Sequence, residues 1–213
     1  MTIRVLLADD HAVVREGLRA LLAANRNICV IGEVANGREA VRCTADLDPD
    51  VLVMDISMPD LNGIDAAKIV HARYPRTQIV MLSMHSSSEH VYRAFAAGAS
   101  AYVLKESAGT EVLAAIESAH AGQRYLSPAL GDVSAAFAAS AVRASPLDSL
   151  SVRERQVLQL VVEGKTSVAI ARIVHLSPKT VETYRSRLMK KLGVPDVPAL
   201  VKLAIQHGLT PPV

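Results

Sequence analysis

The feature that most constrains the fold is an alternation of short apolar runs with longer stretches of helical period. Five apolar runs occur in the first half of the chain, and each precedes a segment whose apolar residues recur at helical spacing. This order predicts an α/β doubly wound domain, with a five-stranded parallel sheet and helices on both faces. The predicted strands are residues 3–8, 28–35, 51–54, 78–83 and 101–105.

Polar side chains suited to chemistry follow four of the five predicted strands. Asp9 and Asp10 come after the first strand, Asp55 after the third, and Ser83 and Lys105 end the fourth and fifth. Sites in open parallel sheets form beyond the carboxyl ends of the strands, so these side chains should converge. Clustered carboxylates repel one another and favour a cation, and all-oxygen ligands suit Mg²⁺. A carboxylate flanked by a metal ion and an ammonium could attack phosphorus, which makes Asp55 the candidate nucleophile.

Charge divides the chain into two parts. Residues 1–125 carry 12 Lys and Arg against 15 Asp and Glu, whereas residues 126–213 carry 11 against 6. A mildly acidic front joined to a basic back predicts two domains with different partners, the second binding nucleic acid. Between them, residues 126–147 are rich in Ala and Ser, which indicates a linker with one short helix over about 129–142.

The basic part carries the pattern of a helix-turn-helix. Ser151 and Glu154 have capping-box spacing at the start of a first helix, which ends at Gly164. A three-residue turn at 175–177 then separates a short helix from a longer one, and Pro178 stands at the first position of the longer helix. Two helices joined in this way form a DNA-binding unit whose second helix enters a groove.

The longer helix, which should run to about Leu192, has a basic face opposite its apolar stripe. Long cationic side chains meet phosphates, whereas short polar side chains can contact base edges. A solvated basic face on a helical packing domain is the alternative interpretation. The candidate DNA contacts are Lys179, Thr180, Glu182, Thr183, Arg185, Ser186, Arg187 and Lys190.

Residues 1–125 resemble the receiver domain of bacterial two-component response regulators. The matching motifs are LADDH (7–11), DVLVMDISMPDLNGID (50–65), MLS (81–83) and AYVLK (101–105). The resemblance implies a flavodoxin-like fold in which Asp55 accepts a phosphoryl group from a sensor histidine kinase.

The same resemblance implies a magnesium site. Asp10 and Asp55, together with the main-chain carbonyl of Ser57, would hold Mg²⁺, and Asp9 would support that cluster. His11 follows the acidic pair at a helix start, where we expect a structural role.

The resemblance also assigns a switch around the phosphoryl group. Ser83 and Lys105 would each bind one phosphoryl oxygen. Tyr102 matches the aromatic residue that turns inward when the hydroxyl residue moves toward the phosphate. Pro59 and Gly63 match the loop that turns the chain back after the acceptor.

Residues 148–213 resemble the four-helix DNA-binding domain of LuxR-type regulators. The matching stretches are LSVRERQVLQLVVEGK, IARIVHLSPKTVETYRSRLMKKLGV and ALVKLAIQHGL. With the receiver, this resemblance implies a regulator of the NarL/FixJ type that binds double-stranded DNA as a homodimer. The last helix, at about 199–206, would form the dimer contact through Leu200 and Leu203. RNA polymerase is a further candidate partner.

Composition argues against a membrane or secreted protein. No apolar run approaches the roughly 20 residues of a membrane span, and the start of the chain lacks the pattern of a signal peptide. Cys29 and Cys43 give no disulfide framework. We therefore expect a cytoplasmic protein.

An enzyme is the alternative class, because haloacid-dehalogenase-like phosphatases also use an aspartyl nucleophile with Mg²⁺. Those enzymes carry Asp-x-Asp at the first strand, whereas Asp9 and Asp10 are adjacent and Asp55 follows the third strand. Residues 1–125 leave no room for a substrate cap, and a phosphatase would not explain residues 150–208. The sequence favours a transcription factor controlled by phosphorylation, with no enzymatic activity beyond its own phosphorylation and dephosphorylation.

Overall fold

A six-stranded parallel sheet organises the front half of the computed structural model, which describes residues 2–131, 146–207 and 209. The strand order is β2-β1-β3-β4-β5-β6, so the chain winds first to one side of β1 and then to the other. The strands are β1 (Ile3–Ala8), β2 (Ile28–Val34), β3 (Val51–Asp55), β4 (Gln78–Ser83), β5 (Ala101–Leu104) and β6 (Tyr125–Leu126).

Helices of the described residues fall into two groups. Five cover the two faces of the sheet, namely α1 (Ala12–Ala23), α2 (Gly37–Leu47), α3 (Gly63–Arg73), α4 (Ser88–Ala96) and α5 (Ala108–His120). Four form a helical domain, namely α6 (Val152–Val162), α7 (Ser167–Val174), α8 (Pro178–Leu192) and α9 (Val197–Gln206). The predicted doubly wound sheet followed by a small helix-turn-helix domain is confirmed.

Each face of the sheet has its own apolar core, because successive strand residues point to opposite sides. On one face Leu52 and Met54 of β3 pack with residues of α2, α3 and α4. On the other, Val51 and Val53 pack with residues of α1 and α5. A strand buried on both faces needs a continuous apolar run, and the run before Asp55 is such a sequence.

The sixth strand was not predicted from the sequence. It consists of Tyr125 and Leu126, which pair in parallel with Ala101 and Tyr102 of β5. The Ser127 N–H donates to the Tyr102 carbonyl at 2.9 Å. Two residues are too few to show the alternation of a strand, so the sequence pattern could not reveal it. The sheet therefore extends to Leu126, the first residue of the predicted linker.

The helical domain closes around its own apolar core, to which Leu158, Val181 and Leu188 contribute. Ser151 and Glu154 form the predicted capping box at the start of α6. Its helices cap as the sequence indicated, since the Ser177 hydroxyl accepts from the Thr180 N–H at 3.0 Å at the start of α8.

The predicted linker helix over about 129–142 lies largely outside the described residues. The part of it that the structure describes belongs to a single 3₁₀ turn, Pro128–Leu130. Among the helices that the structure describes, none combines the length and the apolar character needed to cross a bilayer.

Candidate functional site

The strand-end side chains converge as the parallel topology requires. In the register of the sheet, Asp55 lies opposite Leu82 and Ser83 lies opposite Leu104, which places their side chains near one edge. Lys105 follows β5 directly, in a short 3₁₀ helix. The Lys105 Nζ atom lies 2.8 Å from Asp9 Oδ2 and 2.7 Å from Asp55 Oδ2. Three of the predicted residues, Asp9, Asp55 and Lys105, are therefore in direct contact.

Burial controls the charges in this cluster. Asp9 and Asp55 are each 1% exposed. Burial raises the pKa of Asp55, and the Lys105 ammonium opposes that rise. Because burial has the larger effect, the pKa of Asp55 stays above its ordinary value. Burial alone would lower the pKa of Lys105, but the charges and hydrogen bonds of Asp55 and Asp9 outweigh it and raise the pKa. A second cation beside Asp55 would lower the pKa of its carboxyl and favour the nucleophilic form.

The acidic cluster has the donor atoms for a divalent metal ion. Ligand atoms of Asp9, Asp10, His11 and Asp55 all lie within 4.8 Å of one another. Carboxylate oxygens are the ligands that Mg²⁺ prefers. Ser57 and Asp10 line the same cavity beside the cluster. The residues present fit a bound Mg²⁺.

His11 is more closely involved with the acidic pair than the sequence indicated. Its Nδ1 atom lies 2.8 Å from Asp10 Oδ1 and 3.2 Å from Asp9 Oδ1, and its main-chain N–H donates to Asp9 at 2.9 Å. The main-chain contact is the expected structural role at the start of α1.

The predicted switch residues lie together beside the cluster. Ser83 is buried, and its hydroxyl accepts from the His85 N–H at 3.0 Å. The Tyr102 ring is fully buried, and its hydroxyl donates to the His85 carbonyl at 2.6 Å. Burial raises the pKa of Tyr102 to about 12, so the hydroxyl remains a donor. The loop after β4 thus joins Ser83 to an inward-turned Tyr102.

Two glycines hold the loop that follows Asp55. A Cβ atom on Gly63 would lie 2.1 Å from the Asp55 carbonyl oxygen. A Cβ atom on Gly37, the first residue of α2, would lie 2.1 Å from the Leu61 carbonyl oxygen. Contacts of that length do not occur, so only glycine allows the backbones to approach this closely. The prediction that Gly63 matches the loop after the acceptor now has a steric reason.

The helix-turn-helix has the predicted turn. Helix α7 is followed by His175 in the left-handed conformation, at a φ of 53°. Helix α8 begins at Pro178 and is followed by Gly193, with a φ of 66°. The apolar side of α8 is buried through Val181 and Leu188, so the opposite side is presented outward.

Most of the candidate DNA contacts lie on that outward side. The exposed ones are Lys179, Glu182, Thr183, Ser186, Arg187 and Lys190. Thr180 and Arg185 are half-buried and bond within the domain. The Thr180 hydroxyl lies 2.8 Å from that of Ser177, and Arg185 Nη1 donates to the Ser167 hydroxyl at 3.0 Å. Arg185 therefore holds α7 against α8, a role that its charge alone does not indicate.

The two predicted dimer residues differ in burial. Leu200 is 1% exposed and belongs to the core of the helical domain, whereas Leu203 is half-buried. In this arrangement Leu203 has side-chain surface for a second copy and Leu200 supports the helix from beneath. Dimer contact through α9 stays a prediction.

Several polar residues that the sequence did not single out are buried between the two domains. Arg155, Gln156 and Gln159 of α6 are at most 8% exposed. The signal for them is weak, since polar residues on a helix are usually solvated. In the structure, residues 155–161 are all buried, so this helix is enclosed on nearly every side.

Comparisons with known proteins agree with both halves of this description. Residues 5–117 match the family described as response regulator receiver domain, and residues 148–204 match the luxR family of bacterial regulatory proteins. The response regulator UvrY of Escherichia coli (strain K12) is 37% identical over 211 residues, covering 97% of this chain and 95% of UvrY. The regulatory protein LiaR of Bacillus subtilis is 40% identical over 195 residues, covering 91% and 92%.

Solved structures give the same result. A structure of the response regulator RcsB in complex with DNA matches with a TM-score of 0.57 at 27% identity, covering 95% of this chain and 98% of RcsB. The matches span both domains in one chain, in the same order. The chain therefore belongs to the two-component response regulators of the NarL/FixJ type, transcription regulators that join a receiver domain to a LuxR-type DNA-binding domain.

Proposed function

We propose that Asp55 accepts a phosphoryl group from a sensor histidine kinase and that this controls dimerisation and sequence-specific DNA binding. The observation that carries the proposal is the position of Asp55, buried at a strand end, 2.7 Å from Lys105 and within the acidic cluster. The cluster supplies a nucleophile, a fixed cation and a set of oxygen ligands, which are the parts that phosphoryl transfer requires.

The step itself uses few groups. A carboxylate oxygen of Asp55 attacks the phosphorus atom, and the bond between phosphorus and the donor breaks as the donor takes the electron pair. Lys105 then pairs with one phosphoryl oxygen, and the Ser83 hydroxyl can donate to another when it leaves the His85 N–H. Mg²⁺, held by Asp10, Asp55 and the Ser57 carbonyl, would neutralise charge on the phosphoryl oxygens. Asp9 would stay behind the cluster as support.

The loop geometry supports a switch through Tyr102. The Ser83 hydroxyl and the Tyr102 hydroxyl both bond to His85, one through its N–H and one through its carbonyl. A phosphoryl group that draws the Ser83 hydroxyl away changes one of these two bonds directly. The change then reaches Tyr102 through His85, whose carbonyl accepts the hydrogen bond of the Tyr102 hydroxyl.

DNA binding is assigned to α8. Its exposed cations would contact phosphates, and Thr183 and Ser186 would lie toward base edges. RcsB, a relative with the same two domains, has been solved with DNA bound. We propose binding as a homodimer to half-sites about one helical turn apart, with α9 as the dimer contact. Such a regulator would act in the cytoplasm and could contact RNA polymerase from the promoter.

The experiment on the acceptor uses acetyl phosphate as a small donor. Wild-type protein should take one phosphoryl group in the presence of Mg²⁺ and none after chelation, and D55N should take none. Intact-mass spectrometry and phosphate-affinity electrophoresis measure both. D60N, in the same loop but outside the acidic cluster, is the control and should be phosphorylated. Equal labelling of D55N and wild type would contradict the assignment.

The experiment on DNA uses full-length phosphorylated protein and binding-site selection, followed by fluorescence anisotropy. K179A should weaken binding to all sequences about equally, whereas T183A should change which bases are preferred. R26A, which removes an exposed cation of the receiver away from α8 and α9, is the control and should leave affinity unchanged. An unaltered base preference for T183A would remove Thr183 from the reading face.

A further inference from the structure

The helical domain makes direct contact with the loop that follows the phosphoacceptor. Gln159 of α6 is 1% exposed, although it belongs to the DNA-binding domain. Its Nε2 atom donates to the Met58 carbonyl at 2.7 Å, and its Oε1 atom accepts from the Asn62 N–H at 2.9 Å. One side chain therefore bridges two main-chain groups of the loop, four residues apart.

Two further residues of the helical domain reinforce this contact. Glu163 Oε1 accepts from the Asp60 N–H at 3.2 Å and from Gln159 Nε2 at 2.9 Å. Arg155 Nε lies 2.8 Å from Asp65 Oδ1 at the start of α3, and both side chains are buried. A buried ion pair of this kind is costly to break on one side only, so it holds the two domains in register.

The contact reaches the edge of the metal-binding cluster. A cavity of about 180 Å³ separates the domains there. Its walls are Asp10, Ser57, Met58 and Pro59 from the receiver and Gln159, Glu163 and Leu209 from the helical domain. Ser57, whose carbonyl would bind Mg²⁺, immediately precedes Met58, whose carbonyl accepts the hydrogen bond from Gln159. Residues of the helical domain also cover one side of the approach to Asp10.

The DNA-reading face is not what this contact covers. The outward residues of α8 are exposed, whereas the buried polar residues belong to α6. The arrangement therefore places the helical domain where it can affect the chemistry of the receiver itself.

We infer that Gln159 is a positioning residue for phosphoryl transfer, through which the helical domain restrains the loop 56–62 and slows phosphorylation of Asp55. The inference rests on the proposed function of Asp55 as acceptor. Mg²⁺ and a phosphoryl group need the loop to adapt around them, and Gln159 fixes it at Met58 and Asn62. By thermodynamic linkage, a contact that lowers the affinity of the site for Mg²⁺ and a phosphoryl mimic is itself weakened to the same degree when they bind.

The first test measures phosphorylation of the full-length chain by acetyl phosphate at fixed Mg²⁺. Q159A should be phosphorylated about fivefold faster than wild type or more, which corresponds to an activation barrier lower by about 1 kcal/mol. Q206A changes an exposed glutamine of the same domain and should match wild type. Melting temperatures of all three proteins confirm that they are folded. A rate for Q159A equal to or below that of wild type overturns the inference.

The second test needs no variant. The Asn62 and Asp60 N–H groups are bonded to the side chains of Gln159 and Glu163 in the helical domain, so their hydrogen exchange reports the contact directly. Beryllofluoride with Mg²⁺, which mimics the phosphoryl group, should speed exchange of both amides about tenfold in wild-type protein. Unchanged exchange of both amides in the loaded protein overturns the inference.

The two proposals fail in different ways. Wild-type protein that takes no phosphoryl group on Asp55 contradicts the proposed function. Wild-type protein that is phosphorylated on Asp55, with Q159A no faster, contradicts only the role of Gln159.

Discussion

The acidic site of the receiver and the basic face of α8 use charge in opposite ways. Around Asp55, charges of both signs are buried and paired at 2.7 to 2.8 Å. On α8, cations of Lys179, Arg187 and Lys190 are exposed on one face. Buried ion pairs are specific and nearly insensitive to salt. Exposed positive charges on one face attract any polyanion, over a screening length that shortens as the salt concentration rises. One region suits the proposed phosphoryl transfer, and the other suits association with a long, negatively charged partner.

Salt should separate these two regions most strongly. Between about 50 and 200 mM salt, affinity for DNA should fall roughly 10³-fold, because a dimer presents about six cations to phosphates. The melting temperature of the protein without DNA should change little over the same range. Anisotropy titrations and thermal melts measure the two quantities. A flat affinity across this salt range would show that α8 does not bind the phosphate backbone.

Removing the buried cation of Lys105 should destabilise the receiver domain. K105M leaves the carboxylates of Asp9 and Asp55 buried together, which should lower the free energy of unfolding by about 3 kcal/mol. Added Mg²⁺ should recover part of this loss, because it supplies a replacement positive charge. Urea unfolding with and without Mg²⁺ measures it, and the exposed K202M is the control. Equal stability of K105M and wild type without Mg²⁺ would contradict the pairing.

Steric fit should distinguish a glycine of the acidic site from a glycine elsewhere. G63A places a methyl group against the Asp55 carbonyl and should cost about 1–3 kcal/mol, as overpacking does. G109A in α5 is the matched control, since nothing lies within 4 Å of a Cβ atom there. It should be neutral or stabilising by up to about 1 kcal/mol. Thermal melts of both variants rank them, and equal effects would remove the steric argument for Gly63.

Burial should also govern the response to pH. His90 in α4 is 8% exposed, and its Nδ1 atom lies 2.7 Å from the Ser87 hydroxyl. Burial, with the charges of His85, Arg93 and His207, lowers the pKa of His90 to about 4. Glu89 also faces this region, 3.4 Å from His207. Below the ordinary pKa of a histidine, near 6.5, His90 binds a proton in the unfolded chain but stays neutral in the folded chain until the pH is much lower.

The free energy of unfolding should therefore fall as pH falls from about 6.5 to about 4, by at most about 1.4 kcal/mol per pH unit from this group. Carboxylates titrate in the same range, so the test is a difference between proteins. H90Q should show a shallower fall than wild type, and H120Q, which alters an exposed residue, should follow wild type. Identical slopes for H90Q and wild type would place the acid sensitivity elsewhere.

Much of the fold and of the receiver site was predictable because each depends on local patterns joined by one topological rule. Apolar runs identify the strands, and parallel strands bring their carboxyl ends together, so Asp9, Asp55 and Lys105 had to meet. The caps at Ser151 and Ser177 likewise fixed the helix starts. In each case the decisive residue lies within a few positions of the pattern that reveals it.

The parts that sequence did not reveal depend on distant partners. Gln159 contacts main-chain groups about one hundred residues away, and nothing in its own helix distinguishes it from a solvated glutamine. The sixth strand is defined by its pairing with β5 and not by its composition. Leu200 and Leu203 both fit an apolar stripe, and only the packing of α9 on its own domain shows which one is enclosed.

The close approaches at Gly37 and Gly63 give the loop after Asp55 fixed ends. At one end the chain touches the Asp55 carbonyl, and at the other the Leu61 carbonyl, with no room for a single methyl group. A loop clamped in this way cannot absorb a disturbance at its ends, so any movement is concentrated in its middle. That middle, residues 57–60, contains the Ser57 carbonyl, proposed above as a metal ligand, and two groups that the helical domain contacts, the Met58 carbonyl and the Asp60 N–H. A displacement of this middle segment in one domain is therefore transmitted to the other domain.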